Sequence, residues 1–255
     1  MVLIYTGHSN WVWSLECINE DTMVSGSWDK TIKIWSISTG VTNKTINTGQ
    51  NVLCLKLFGN GLYLASGLDN DNINIYDTNT GNFRWSLTGH SNHVNDLILL
   101  NEYLMASSSL DNTTRIWNLN TNTTEFVLRG HNSYVYGLKL ITFEILASGS
   151  YDHTIKLWNI SSGSLIRTLN NHTSSIQWAV EFCDDQTLLS GSYDEWIIKW
   201  NIITGQVVQK INTGLPIRTL TVLSLVTGKI LKIKYPCISL ENRSFTRSSQ
   251  KVSNI

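Results

Sequence analysis

The sequence predicts an all-β repeat protein, and two observations carry that prediction. The first is a fixed period: a large aromatic residue recurs at Trp35, Tyr76, Trp117, Trp158 and Trp200, at intervals of 41, 41, 41 and 42 residues. The second is that the segments between these residues alternate apolar and polar side chains and are divided by short glycine-containing turns, as in half-buried strands. A long fixed period of this kind is typical of an array of similar supersecondary units.

Two further markers recur with the same period. A histidine, usually after glycine, opens a unit, and an aspartate follows a strand end made of small residues. The histidines are His8, His90, His131 and His172, and the aspartates are Asp29, Asp69, Asp111, Asp152 and Asp194.

Together with the aromatic that ends the third strand, these markers resemble the WD-repeat family, whose members fold as β-propellers with four strands per blade. The resemblance implies five well-formed blades, at about 8–47, 49–88, 90–129, 131–170 and 172–212, and a degenerate partial sixth from 214. It assigns residues 1–223 to the propeller and leaves 224–255 as a degenerate basic segment. Residues 2–5 have the pattern of a strand available for ring closure, and a small closed ring and an incomplete propeller both remain open.

The resemblance also implies a hydrogen-bonded chain within a blade, formed by the histidine, a strand-two serine, the turn aspartate and the strand-three tryptophan. In this sequence the chains are His8, Ser25, Asp29 and Trp35; His90, Ser107, Asp111 and Trp117; His131, Ser148, Asp152 and Trp158; and His172, Ser190, Asp194 and Trp200. A catalytic triad is needed once, whereas these residues recur with the blade, so we expect a structural role.

The second repeat departs from this pattern. Gln50 stands where the histidine is expected, Tyr76 replaces the tryptophan, and the turn that begins at Asp69 is interpreted as one residue longer. We therefore expect a looser blade without a complete chain of four.

The family typically recruits peptides at its narrow face, through residues that flank the first apolar residue of strand one or precede the turn aspartate. Carried over position by position, the partner-binding candidates are Trp11, Trp13, Trp28, Leu68, His93, Tyr134, Tyr136, Tyr151, Gln177, Trp178 and Tyr193. Large aromatics on a solvated rim are typical of interaction hot spots. Few of these positions hold Lys or Arg, which disfavours nucleic acid as the ligand.

Composition sets further expectations. The four cysteines form no CxxC pair, so neither a disulfide framework nor a zinc site is expected. We find no phosphate-binding loop and no metal-ligand cluster, and we expect no cofactor. No apolar run is long enough to span a membrane, and no signal peptide precedes the first repeat, which favours a cytoplasmic or nuclear address. Residues 229–255 hold six Lys or Arg against one Glu. A solvated end is the favoured interpretation, and binding of an acidic partner or of nucleic acid are the alternatives.

The sequence therefore predicts a non-catalytic scaffold that binds other proteins or linear peptides, with no small-molecule substrate and no membrane partner. An enzyme would need a non-repeating acid, base or nucleophile, and we find none. Two alternatives remain: a substrate-recognition adaptor of a larger complex such as a ubiquitin ligase, and an incomplete propeller with no independent function.

Overall fold

The computed structural model describes residues 4–184, 186–225, 228–234 and 252–254, and over these residues every regular element is a β-strand. The strands form five four-stranded antiparallel sheets and one three-stranded sheet. Each four-stranded sheet follows chain order, so that every strand pairs with the next one along the chain. The predicted all-β architecture with five four-stranded blades is confirmed, and we number these sheets blades 1 to 5.

The chain divides into two compact units, and the first, Met1–Arg129, holds three blades. Blade 1 consists of β1 (Val12–Cys17), β2 (Thr22–Ser27), β3 (Thr31–Ser36) and β4 (Thr42–Asn47). Blade 2 consists of β5 (Val52–Phe58), β6 (Tyr63–Leu68), β7 (Ile73–Asp77) and β8 (Phe83–Leu87). Blade 3 consists of β9 (Val94–Leu99), β10 (Leu104–Ser109), β11 (Thr114–Asn118) and β12 (Thr123–Leu128).

The second unit, Gly130–Ile255, holds two blades and the three-stranded sheet. Blade 4 consists of β13 (Val135–Thr142), β14 (Ile145–Ser150), β15 (Ile155–Asn159) and β16 (Leu165–Leu169). Blade 5 consists of β17 (Val180–Asp184), β18 (Thr187–Gly191), β19 (Trp196–Asn201) and β20 (Val207–Asn212). The three-stranded sheet consists of β21 (Thr219–Leu225), β22 (Gly228–Lys234) and β23 (Val252–Asn254).

Small residues build the second strand of each blade because both of its faces are covered. In β14 the last five residues, which run from Leu146 to Ser150, are all buried. Within each unit a glycine of this strand receives the first strand of the next blade. A Cβ atom at Gly26 would lie 2.4 Å from Cγ1 of Val52, and one at Gly149 would lie 3.1 Å from Cγ2 of Val180. Blades therefore stack closely only where glycine leaves this space free.

The strand that the sequence predicts at residues 2–5 lies only in part within the described residues. Residues 1–3 lie outside the described residues, and residues 4–8 have no strand pairing. Tyr5 instead sets its ring edge-on against Trp35, with 5.8 Å between centroids, and its hydroxyl donates to the carbonyl of Ile37 at 2.8 Å. These two contacts of the Tyr5 side chain hold the segment on blade 1.

The three-stranded sheet crosses the predicted boundary between residues 223 and 224, which falls inside β21. β21 pairs with β22 over seven residue pairs, from Thr219 with Lys234 to Leu225 with Gly228. Residues 226–227, 235–251 and 255 of the predicted basic segment lie outside the described residues. The partial sixth blade stays a prediction.

Candidate functional site

At one end of each blade, a backbone hydrogen bond fixes two residues side by side. The N–H of a residue just beyond strand two donates to the carbonyl of a residue ahead of strand one, over 2.9 to 3.2 Å. The pairs are Trp28 with Trp11, Asp69 with Asn51, Leu110 with His93, Tyr151 with Tyr134, and Tyr193 with Ser175. Because the same bond recurs in every blade, these positions are equivalent, and their side chains share one end of the blade.

In blades 1, 3, 4 and 5, the turn beside the pair is held by the predicted hydrogen-bonded chain, described first for blade 4. Nδ1 of His131 lies 2.8 Å from Oδ2 of Asp152, and Nε2 lies 2.8 Å from Oγ of Ser148. Nε1 of Trp158 donates to the same Ser148 oxygen at 2.9 Å. An indole N–H can only donate, so Ser148 accepts from Trp158 and donates its own proton to Nε2. His131 then donates from Nδ1 to Asp152, and every polar hydrogen of the chain has an acceptor.

The structure brings together the same four residue types in three other blades, with the corresponding contacts at 2.6 to 2.8 Å. The sets are His8, Ser25, Asp29 and Trp35 in blade 1; His90, Ser107, Asp111 and Trp117 in blade 3; and His172, Ser190, Asp194 and Trp200 in blade 5.

A threonine extends the chain in blades 1, 3 and 4, and sequence reasoning missed it. The hydroxyls of Thr31, Thr113 and Thr154 each donate to Oδ1 of the turn aspartate at 2.6 Å. The available signal was a repeated Asp-x-Thr spacing. Blade 5 has Trp196 at this position, and there only the backbone N–H donates to the aspartate.

These bonds set the charge of the turn aspartates. Burial by itself raises the pKa of Asp111, but hydrogen bonds from His90 and Thr113 outweigh it and hold the pKa well below its ordinary value of 3.8. At Asp194, burial again raises the pKa, but the hydrogen bond from His172 and backbone hydrogen bonds lower it further, to about 2. The pKa is also lowered at Asp29 and Asp152. Each aspartate is therefore held as an anion against its histidine.

The serines of these chains are not placed as nucleophiles. Ser107, Ser148 and Ser190 are 0% exposed, and each hydroxyl oxygen already accepts an indole N–H. A nucleophile needs access to a substrate as well as an adjacent base. The geometry gives these serines a structural role.

Blade 2 has a different register from the one the sequence suggested. Asp71 has a positive φ of 72°, as Lys30 has in blade 1 with 67°, which makes Asn70 the equivalent of the turn aspartate. The turn is therefore not longer than in blade 1, and the prediction of an extra residue is wrong. The run Asp-Asn-Asp-Asn offers two aspartates, and the residue that needs a left-handed conformation decides between them.

This register also shows that the prediction for Leu68 is wrong. The sequence placed Leu68 among the partner-binding residues. Leu68 takes the position that a serine holds at the end of strand two in the other blades, and it is 0% exposed. It belongs to a core cluster with Val52 and Leu64. Asp69 is the blade 2 residue that takes the blade-end position, where its N–H donates to the carbonyl of Asn51.

An asparagine organises blade 2 in place of the missing histidine. The amide of Asn74 donates to the hydroxyl of Tyr76 at 3.4 Å, and its oxygen accepts from Ser86 at 2.6 Å. Ser66 donates to the backbone carbonyl of the same asparagine at 3.2 Å. Leu64 is 0% exposed, so burial does not show the looser interior that was expected.

Three of the predicted partner-binding residues meet at the end of blade 1. Trp11 is 59% exposed, and its ring centroid lies 5.0 Å from that of Trp28 and 6.4 Å from that of Trp13. The centroids of Trp13 and Trp28 are 5.5 Å apart, and both of these side chains are half-buried. We call these three residues the tryptophan cluster.

A second group meets in the other unit, at the ends of blades 4 and 5. Tyr134 and Tyr151 are 43% and 49% exposed, with centroids 6.1 Å apart, and Tyr136 lies 5.2 Å from Trp178. Burial raises the pKa of Tyr136, and the neighbouring Tyr151, Tyr134 and Tyr193 raise it further. We call these five residues the tyrosine cluster.

The remaining candidates lie at the edges of these groups. Blade 5 has two residues, Gln177 and Trp178, where blade 4 has only Tyr136, and it is the ring of Trp178 that contacts Tyr136. Trp178 therefore takes the position in the cluster, and Gln177 is half-buried beside it. His93 is half-buried at the end of blade 3, outside both clusters.

Among the described residues, no group of three or more His, Cys, Asp or Glu side chains is arranged to hold a metal ion. A search of those same residues gives no helix of the length and apolarity needed to span a membrane.

A family model described as WD domain, G-beta repeat, matches residues 1–36, 81–118, 122–159 and 163–201. These matches cover more than half of the chain, and the chain belongs to the WD-repeat family. They leave out residues 37–80, where β4 and most of blade 2 lie, in keeping with the missing histidine and tryptophan of that blade.

Curated relatives match short parts of the chain. Protein tipD of Dictyostelium discoideum is 35% identical over 77 residues, which are 30% of this chain and 13% of the relative. Autophagy-related protein 16 of Arabidopsis thaliana is 30% identical over 98 residues, 37% of this chain and 19% of the relative. Coatomer subunit beta'-2 of Arabidopsis thaliana is 33% identical over 96 residues, which are 36% of this chain and 10% of the relative. The chain spans less than a fifth of the length of each.

Solved structures extend the likeness to most of the fold. The structure of U3-55K superposes with a TM-score of 0.79 at 21% identity, covering 91% of this chain and 76% of that one. A chain of the mitotic checkpoint complex gives a TM-score of 0.77 at 23% identity, covering 89% and 70%. At these identities the likeness shows the fold.

Proposed function

We propose that this chain is a non-catalytic interaction module that binds a peptide or protein partner through the aromatic side chains at its blade ends. WD-repeat proteins are generally scaffolds for protein interactions, and the family is generally non-catalytic. The family likeness gives the class of function, and the aromatic clusters supply the surface.

The observation that carries the proposal is the exposure of aromatics at equivalent positions. Trp11, Tyr134 and Tyr151 all belong to the pairs joined by the blade-end backbone bond, and they are 59%, 43% and 49% exposed. Aromatic side chains bury much area on binding and lose little rotamer entropy, which is why they dominate interaction hot spots. The hydrogen-bonded chains fix the turns beneath them, so the surface is organised before a partner binds.

A second candidate is a subunit or adaptor of a larger assembly. It is favoured by the likeness to coatomer subunit beta'-2, whose name makes it a subunit of an assembly. The matched part is 10% of the length of that relative. A ubiquitin-ligase receptor is one such adaptor. The two candidates differ in whether the purified chain binds a short peptide or only a folded partner.

The test compares capture of partners by the purified chain and by two paired variants. Trp11→Ala with Trp28→Ala removes most of the tryptophan cluster, and Tyr134→Ala with Tyr151→Ala removes the exposed part of the tyrosine cluster. Phe143→Ala is the matched control, since Phe143 lies in blade 4 between β13 and β14 and is 84% exposed.

We expect at least one pair to lower the affinity for a captured peptide or protein by tenfold or more, while Phe143→Ala leaves it unchanged. Thermal melting establishes that each variant is folded. Retention of the partner by both paired variants would place the interaction surface elsewhere. A wild-type chain that fails to melt cooperatively would support an incomplete propeller without independent function.

A further inference from the structure

A guanidinium group lies against the tyrosine cluster. Cζ of Arg218 lies 5.1 Å from the ring centroid of Trp178, over its face. The backbone of Arg218 is fixed at the same place, because its carbonyl accepts the N–H of Trp178 at 3.1 Å. The next residue, Thr219, also forms a β-bridge with Trp178, and Ile217 on the other side is 0% exposed. The segment between β20 and β21 therefore carries this arginine to the cluster.

The cation–π contact with Trp178 holds the guanidinium beside the cluster. A cation over an indole face is attracted by the ring quadrupole, and a stacked guanidinium keeps its edge N–H groups available for hydrogen bonds. Arg218 carries five N–H donors, so it can bind an anion in addition to the contacts it already makes. Its positive charge also reaches the hydroxyl of Tyr136, where it opposes the rise in pKa that burial causes.

The tyrosine cluster and Arg218 offer several hydrogen-bond donors. The hydroxyls of Tyr134, Tyr136, Tyr151 and Tyr193 can each donate a hydrogen bond, and the guanidinium adds a fork that fits a carboxylate. The turn aspartates of blades 4 and 5, Asp152 and Asp194, do not offset this charge at the surface, because their carboxylates bind the buried histidines.

We infer that the tyrosine cluster and Arg218 bind a linear peptide through an aspartate or glutamate side chain that is flanked by an apolar residue. The carboxylate would take the guanidinium and tyrosine donors, and the apolar neighbour would lie on the exposed faces of Tyr134 and Tyr151. A lysine or arginine at the same place in the peptide would be repelled by Arg218. This inference rests on the proposed function and names the class of its ligand.

The experiment uses three libraries of nine-residue peptides that share Leu or Phe beside a fixed central residue, which is Glu, Gln or Lys. Binding to the full chain is measured by fluorescence anisotropy at low and high salt. We expect Glu peptides to bind at least tenfold more tightly than Gln peptides, with Lys peptides weakest, and the preference to shrink as salt rises. Arg218→Gln should make Glu and Gln peptides equal, and Arg218→Lys should restore part of the preference.

Arg129→Gln serves as the control for losing one exposed arginine, and it should leave the preference intact. Peptides that bind equally whatever their central residue, yet are lost in Tyr134→Ala with Tyr151→Ala, would overturn the acidic ligand and leave the proposed function standing. Peptide binding that is unchanged in Tyr134→Ala with Tyr151→Ala would overturn both the acidic ligand and the proposed function at this cluster. A fourth library with phosphoserine at the centre that bound far better than Glu would replace the carboxylate with a phosphate.

Discussion

Ser148 shows at the scale of one residue how a blade turn is held. Its hydroxyl joins Trp158 to His131, and it is 0% exposed, so neither partner can turn to water if the oxygen is removed. A buried polar group left without its partner costs more than the net contribution of one hydrogen bond. The same position carries serine in blades 1, 3 and 5, which makes it the most informative single residue to change.

Ser148→Ala should lower the free energy of unfolding by about 1–3 kcal/mol, because it strands an indole N–H and an imidazole nitrogen. Urea denaturation monitored by tryptophan fluorescence measures the change. Ser161→Ala, at an exposed turn of the same blade, should change stability by less than about 0.5 kcal/mol. Equally small effects of the two substitutions would show that the hydrogen-bonded chain of blade 4 contributes nothing to stability.

The turn aspartates predict that the folded state loses stability at low pH. The pKa of Asp194 is about 2 in the folded chain against an ordinary value of 3.8, so the folded state favours the anion. Stability from this group is fully present above pH 4 and is lost as the pH falls through the folded value, toward about 2. Asp29, Asp111 and Asp152 act in the same direction.

Unfolding midpoints in urea, measured between pH 2 and pH 6, should therefore decrease below about pH 4. Asp194→Asn should be less stable than wild type near neutral pH and should show a shallower decrease on acidification. A variant that keeps the full pH dependence of the wild type would assign the acid sensitivity to other groups.

At the scale of one strand, two leucines at the same position differ in their surroundings. Leu15 pairs with Ser25 and Leu55 pairs with Ser66, so each lies opposite the strand-two serine of its blade. Leu55 is 3% exposed in the core that blades 1 and 2 share, whereas Leu15 is 63% exposed. The sequence makes them alike, and blade stacking makes them different.

Leu55→Ala should therefore lower the free energy of unfolding by about 2–5 kcal/mol through lost burial and a cavity. Leu15→Ala should change it by less than about 0.5 kcal/mol. Chemical denaturation of the two variants side by side makes the comparison. Similar losses would indicate that Leu15 is covered in solution.

The strands and their order were predictable because period-two alternation and turn residues are local signals. Blade 2 shows the limit: its asparagine-centred bonds depend on Asn74, Tyr76 and Ser86, which no repeated marker picks out. Leu68 was misassigned for a related reason, since a run with two aspartates does not reveal which residue takes the positive φ. Exposure is another property that spacing does not encode, as Leu15 and Leu55 show.

At the scale of the whole chain, the repeat predicts five blades and leaves the last sheet without a marker. β21 and β22 pair along their length although their sequence carries no turn aspartate and no tryptophan. The segment that leads into β21 nonetheless brings Arg218 to the tyrosine cluster, a contact that spacing within the repeats cannot show. The repeat places the proposed partner-binding residues at the blade ends, whereas their grouping into two clusters depends on side-chain packing.

The measurement that tests the interaction surface most directly is oxidative footprinting of the chain with and without a captured partner. We expect the partner to protect Tyr134 and Tyr151, or Trp11, from oxidation. Phe143 and Tyr103, which are 84% and 55% exposed between the first two strands of their blades, should stay equally reactive. Protection of Phe143 and Tyr103, with the blade-end aromatics unchanged, would contradict the account and move the interaction to the opposite ends of the strands.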